Sequence, residues 1–230
     1  MLYILFLRTV FMDISIYFPM WDNLTKSEQD ILKSSAVLMK VKKGDIIHNG
    51  NECFGLIMIK SGILRAYVIS DSGKEMTLYR LASDNMCLFS ASCVVNNISF
   101  DIVIEAESDS EFILIPSEIY KNIMKHSVSL SNFTNELMAE KFSDVMWLME
   151  QIAWKSFDKR LADFLIKESE IENSLTLNIT HETIGNHMGN PREVVSRMLK
   201  YFQNENIVKL SRGIIEITDM DKLRRVVESD

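Results

Sequence analysis

Cysteine is scarce in this chain: Cys53, Cys87 and Cys93 are the three in 230 residues. An odd, irregularly spaced set makes no disulfide framework and fits a reducing cytoplasm better than export. Histidine is scarcer still where strands are expected, since His48 stands there alone. A cupin-like metalloenzyme needs several His and a carboxylate converging on one ion, so that chemistry is excluded. No Walker or dinucleotide glycine loop and no serine nucleophile elbow occurs, which removes the remaining legible enzyme classes. Positive charge is also in deficit: the formal net charge is −7, which argues against a surface that coats nucleic acid indiscriminately but permits a local basic face. Long apolar runs are missing too. Met1 to Val10 is apolar apart from Arg8, yet it is too short to span a bilayer and no basic segment precedes it, so neither a transmembrane helix nor a signal peptide is expected. A second methionine, Met12, suggests that translation starts there and that the first eleven residues are upstream sequence or a tail.

What is present is 47% hydrophobic, with mean hydropathy +0.03, the composition of a folded chain with room for one large or two small domains. The most informative stretch runs from Ile179 to Thr218. Thr180 is a good N-cap, and His181 to Met188 reads as a short helix. Gly189 and Asn190 break it, and Pro191 suits the first position of a second helix. There Val194, Val195, Met198, Leu199 and Phe202 recur at helical spacing, while Arg192, Glu193, Ser196, Arg197 and Lys200 fall on the opposite face. Arginine offers a fork to guanine O6 and N7, and glutamate can accept from the cytosine amine. After Asn204, two short apolar runs flank Ser211-Arg212-Gly213, the pattern of a hairpin wing. Between Arg192 and Arg212 there are five cations against two carboxylates, so positive charge concentrates where DNA would lie.

The run Ile179-Thr180, Thr183-Ile184-Gly185, Met188-Gly189 and Arg192-Glu193-Val194-Val195-Ser196-Arg197-Met198-Leu199 resembles the helix-turn-helix of the cyclic-AMP receptor and fumarate–nitrate regulator (Crp/Fnr) superfamily. The resemblance implies DNA base contacts from Arg192, Glu193 and Arg197 as in the cyclic-AMP receptor type, or from Glu193, Ser196 and Arg197 as in the fumarate–nitrate type. It also matches Thr180 and His181 to phosphate-contacting positions, and Lys200 lies on the same face as a further phosphate contact.

Earlier in the chain, Thr25 and Glu28 have capping-box spacing at the start of a short helix through about Ser35. From Val37 to Gly73 the period changes to alternation, in Val37 to Val41, Gly55 to Ile59 and Ile63 to Ile69. Turns are marked at Lys43-Gly44, Gly50-Asn51, Ser61-Gly62 and Ser72-Gly73. Met76 to Leu81, Ile102 to Glu105 and Glu111 to Ile115 continue the pattern until Pro116 ends it. Many short strands with glycine punctuation predict a small antiparallel roll. His48, beside two of these turns, is expected near the surface. A helix without Pro or Gly follows, from about Ser127 to Trp154. In it Met138, Phe142, Val145, Met149 and Ile152 are spaced 4, 3, 4, 3, a dimer seam that Leu130, Phe133 and Leu137 extend. A break near Ser156 and Phe157 would be a hinge, and Leu161, Phe164 and Leu165 mark one face of the next helix.

The expected fold is therefore α+β. Residues 1–126 form an N-terminal antiparallel β jelly roll of cyclic-nucleotide-binding type, residues 127–155 a dimerisation helix, and residues 156–230 a winged helix-turn-helix. For the effector, the resemblance is informative mainly by departure. The Arg and Ser that hold a cyclic phosphate in relatives fall on Phe100 and Asp101, and an anion would be repelled there, so cyclic AMP is not expected. An iron–sulfur cluster needs four thiolates, mostly near the N-terminus, and none precedes Cys53. Met86 to Ser90 with Cys93 is similar to the ligand region of the carbon-monoxide-sensing haem member. Cys87 takes the thiolate position there, but Phe89 stands where that family has its exchangeable His. Cys87, Phe89, Cys93, Phe100 and Asp101 form the candidate effector pocket, and no metal site is expected. The reading is a cytoplasmic, homodimeric, sequence-specific regulator of promoter DNA, with RNA polymerase as a partner implied by the resemblance, an unidentified small-molecule effector and no membrane partner. The alternatives are a haem-dependent gas or redox sensor, and a ligand-binding roll without DNA readout.

Overall fold

The computed structural model describes residues 13–49, 54–87 and 102–228. The chain divides into two compact units, one made of residues 1–69 and 78–144, the other of residues 70–77 and 145–230.

The first unit opens with α1 (Lys26–Ser35), held at its start by the capping box read from the sequence. The Thr25 hydroxyl accepts from the Glu28 N–H, and the Glu28 carboxylate accepts from the Thr25 N–H at 2.6 Å. Eight strands follow among the described residues: β1 (Val37–Val41), β2 (Ile46–His48), β3 (Gly55–Ser61), β4 (Leu64–Ile69), β5 (Glu75–Leu81), β6 (Met86–Cys87), β7 (Val103–Ala106) and β8 (Ser110–Pro116). They pair antiparallel into two four-stranded sheets, in the orders β1-β8-β3-β6 and β2-β7-β4-β5. Pro116 is the last strand residue and also the N-cap of α2 (Ser117–Met124). The strand pattern is thus that of the expected roll, with the short β2 and β6 added.

Alternation in β3 is not of the expected kind. Leu56, Ile57, Met58 and Ile59 are all buried, because both faces of the sheet are covered. Ile57 and Ile59 point into the core between the sheets, with Phe112, Leu114, Ile104 and Leu81. Leu56 and Met58 point the other way, into a second core with Ile113, Ile115, Tyr120 and Leu32, which the helices supply. A strand covered on both faces reads as a continuous apolar run rather than an in-out pattern.

His48 is also a correction. It is 5% exposed rather than near the surface, because it pairs with Ile104 in the sheet instead of belonging to the neighbouring turns.

The long helix α3 (Val128–Trp154) has 27 residues and so measures about 40 Å. Its first half covers its own roll: Leu130 and Leu137 are buried in the helix-covered core, with Phe133 and Met138 packed beside them. That corrects the expected extension of the seam, since Leu130, Phe133 and Leu137 are already spent within the chain. Lys141 is also buried, with its ammonium bonded to Glu140 at 2.7 Å and Asp144 at 3.0 Å, and lying 5.6 Å from the Tyr79 ring centre. Beyond it the pattern reverses. Phe142 is 64% exposed and Met149 57%, Ile152 is exposed as well, and Val145 is half-buried. No helix among the described residues is long and apolar enough to cross a membrane.

In the second unit α4 (Phe157–Ile171) starts after Ser156, at the break expected there. Next come β9 (Thr176–Leu177), α5 (His181–Met188), α6 (Arg192–Asn204), β10 (Val208–Ser211), β11 (Ile214–Ile217) and α7 (Met220–Glu228). β10 and β11 make the expected wing, and β9 adds a third strand on the far side of β11. The core joins Leu161, Leu165, Ile184, Val195, Leu199, Phe202, Ile215 and Leu223, so α4, α5, α6 and α7 each give it a side chain. α7 was not expected from the sequence.

Candidate nucleic-acid interface

Thr180 caps α5 as predicted. Its hydroxyl accepts from the Thr183 N–H at 3.0 Å and pairs with the Thr183 hydroxyl at 2.8 Å. The helix ends at Gly189, which sits in the left-handed region at φ +69°, where glycine carries no side-chain penalty. The N–H groups of Gly189 and Asn190 both reach the Gly185 carbonyl. The turn therefore folds back over Gly185 so closely that a Cβ there would lie 2.6 Å from the Asn190 carbonyl oxygen. Pro191 is the N-cap of α6, not its first residue as the sequence suggested. Its carbonyl accepts from Val194 and Val195, which starts the helix one position later.

Burial then divides α6 as the spacing implied. Val195, Leu199 and Phe202 are fully buried, with Val194 and Met198 at the margin. Arg192, Glu193, Arg197 and Lys200 are exposed, and none of the four makes an ion pair among the described residues. A row of charges left unneutralised by the protein is available to an outside partner. On the wing, Lys209 pairs with Glu216 at 3.5 Å, while Arg212 sits exposed at the turn.

Ser196 behaves differently from its neighbours. It is half-buried, and its hydroxyl lies 2.8 Å from Nδ1 of His181, so two residues matched separately to DNA contacts are in fact joined across the helix pair. Burial, and after it the charge of Arg192, holds the His181 imidazole below its ordinary value of 6.5. Gly185 and the His181–Ser196 link were not identified as functional from the sequence. A Gly in a short helix was visible, but its partner five residues on becomes apparent only once the turn closes.

Of the candidate effector residues, Cys87 is fully buried, and its sulfur lies 3.8 Å from the Tyr79 hydroxyl. A thiol packed in this way among Ile57 and its neighbours acts as a small core side chain and fits poorly as an open haem ligand. Phe89, Cys93, Phe100 and Asp101 lie outside the described residues. Among the described residues, no cluster of three or more His, Cys, Asp or Glu is placed to hold a metal.

A winged helix-turn-helix whose second helix leaves a charged face exposed is the architecture of a DNA-binding domain. The Crp-like helix-turn-helix domain matches residues 159–226. A crystal structure of a Crp/Fnr-family protein from Eubacterium rectale is similar at 55% identity and TM-score 0.91, covering 93% of this chain and 99% of that one. The regulatory protein HlyX of Actinobacillus pleuropneumoniae is 26% identical over 211 residues, 86% of each chain. The fumarate and nitrate reduction regulatory protein of Vibrio cholerae is 28% identical over 210 residues, 87% of this chain and 82% of that protein. The chain belongs to the Crp/Fnr family of transcriptional regulators, and neither its fold nor these relatives are those of an enzyme.

Proposed function

We propose that this regulator works as a cytoplasmic homodimer that reads promoter DNA with α6 and responds to an effector, not cyclic AMP, held by the roll. The observation that carries the reading is the face of α6: Arg192, Glu193, Arg197 and Lys200 stand exposed and, among the described residues, without an ion pair, opposite the fully buried Val195, Leu199 and Phe202. Arg197 and Glu193 supply base readout, with Arg192 or Ser196 as the third contact, and Thr180, His181 and Lys200 approach the phosphates. Replacement of Arg197 by Ala is expected to weaken binding to a duplex chosen by the wild-type protein by about 1–3 kcal/mol, and to relax the base preference at one position of each half-site. Fluorescence anisotropy measures both effects. Wild-type affinity and selectivity in this variant would contradict the docking.

Two-fold pairing is supported by the second half of α3. Phe142, Val145, Met149 and Ile152 keep heptad spacing beyond the part of the helix that its own roll covers, and three of the four are exposed. A parallel pair of such helices would set two α6 helices about one DNA turn apart, 34–36 Å. The Phe142→Glu, Met149→Glu double variant is expected to sediment at the 26.5 kDa chain mass, and the wild type at twice that. A wild-type monomer, or a double variant that still pairs, would remove this part of the reading. Effector binding would shift the helix pair and so the spacing of the two reading heads. Contact with RNA polymerase follows from the family resemblance.

A further inference from the structure

The hydrogen bond between His181 and Ser196 crosses from α5 to α6. His181 is the first residue of its helix, and Ser196 lies mid-helix, flanked on the reading face by Glu193 and Arg197. Both residues are half-buried, and the 2.8 Å separation commits the serine hydroxyl to the imidazole. The arrangement has two senses. With the ring proton on Nε2, Nδ1 is an acceptor, the Ser196 hydroxyl must donate to it, and only oxygen lone pairs remain for a group outside. With the proton on Nδ1, or on both nitrogens, the ring donates and the hydroxyl hydrogen turns outward. A base edge set against Ser196 would meet an acceptor in the first case and a donor in the second. An acceptor suits the amines of cytosine and adenine, whereas a donor suits guanine N7 and O6 or thymine O4.

We propose that His181 is a positioning residue for DNA reading: its neutral ring carries the proton on Nε2 and accepts from Ser196, and uptake of a second proton, on Nδ1, inverts the hydrogen-bond sense of Ser196. This rests on the assignment of α6 as the reading helix. From α6 the charge acting on His181 is that of Arg192, and on its own helix the neighbouring Glu182 is exposed to solvent. In the free protein, burial and Arg192 keep the ring neutral near pH 7. A DNA phosphate drawn to this end of α5 acts oppositely and favours the imidazolium. The complex then holds more protons than the free protein whenever the pH lies between the depressed free value and the raised bound one. Within that window affinity rises as pH falls, by up to about tenfold per pH unit for each proton taken up.

The test is selection of duplexes from a randomised library by the full chain at about pH 8 and about pH 6, on either side of the ordinary histidine range. The wild type is expected to change its preferred base at one position per half-site, from cytosine or adenine at the higher pH to guanine or thymine at the lower. His181→Gln, whose amide hydrogen-bonds without titrating, and Ser196→Ala are each expected to select the same sequence at both. A nitrogen-15 NMR titration of the free protein adds a readout independent of DNA: the His181 Nδ1 signal must shift in Ser196→Ala. Wild-type selections that do not depend on pH, a pH dependence that survives in His181→Gln, or an Nδ1 signal indifferent to Ser196→Ala would overturn the proposal with DNA reading intact. Failure of the wild type to enrich any duplex would overturn both.

Discussion

Gly185→Val is expected to reduce duplex binding about a hundredfold while leaving the roll folded. The first added carbon already falls 2.6 Å from the Asn190 carbonyl oxygen, and that oxygen belongs to backbone, so no rotamer change relieves the contact. The turn must open. Opening it strains the hydrogen bonds from Gly189 and Asn190 to the Gly185 carbonyl and moves the start of α6, where Arg192 and Glu193 stand. Overpacking of this kind costs about 1–3 kcal/mol of stability. Misplacing two base contacts of about 1–3 kcal/mol each accounts for the larger loss in binding, since 1.4 kcal/mol is tenfold. Anisotropy with the same duplex, alongside circular dichroism to establish that the variant is folded, decides the matter. An affinity within about threefold of wild type, about 0.6 kcal/mol, would mean that the turn does not set the position of the reading helix.

Phe202→Ala is expected to have the largest effect on stability, about 3–5 kcal/mol, confined to the second unit. Phe202 is fully buried in the core that α6 shares with Leu161 of α4 and Ile215 of β11, and truncation leaves a cavity that these three elements would have to move to fill. Hydrogen exchange read by mass spectrometry on the whole chain resolves the outcome by region. Peptides within residues 157–228 should lose protection, and those of β7, β8 and α2 should keep theirs. A loss spread evenly along the chain, or one below about 1 kcal/mol, would mean that this core is not the cooperative unit described.

Much of the architecture was legible because it rests on short-range chemistry. Thr25 and Glu28 announce α1 through a capping box that closes within four residues, and Thr180 and Gly189 bracket α5 in the same way. The two faces of α6 follow from helical spacing, which is why the sequence alone places Arg192, Glu193, Arg197 and Lys200 on the outside. The cases that went otherwise share a cause. β3 was expected to alternate, but helices from elsewhere in the chain cover its outer face. Leu130, Phe133 and Leu137 are spaced 3 and 4 just as Phe142, Val145 and Met149 are; spacing says that a stripe is apolar, not which surface buries it. His48 lies between glycine turns, yet pairing with Ile104 draws it inside.

The helix-turn-helix, its wing, the strand-rich first unit and the length of α3, uninterrupted by Pro or Gly, were thus settled locally, by caps, turn residues and periodicity acting over a few positions. Contacts between residues far apart in the chain decided the rest. They buried the first half of the seam and left the second half open, closed the turn onto Gly185, and brought His181 to the Ser196 hydroxyl fifteen residues away. Local preferences act on one element at a time, whereas burial and hydrogen-bond partnership belong to pairs of elements and exist only once those elements are packed.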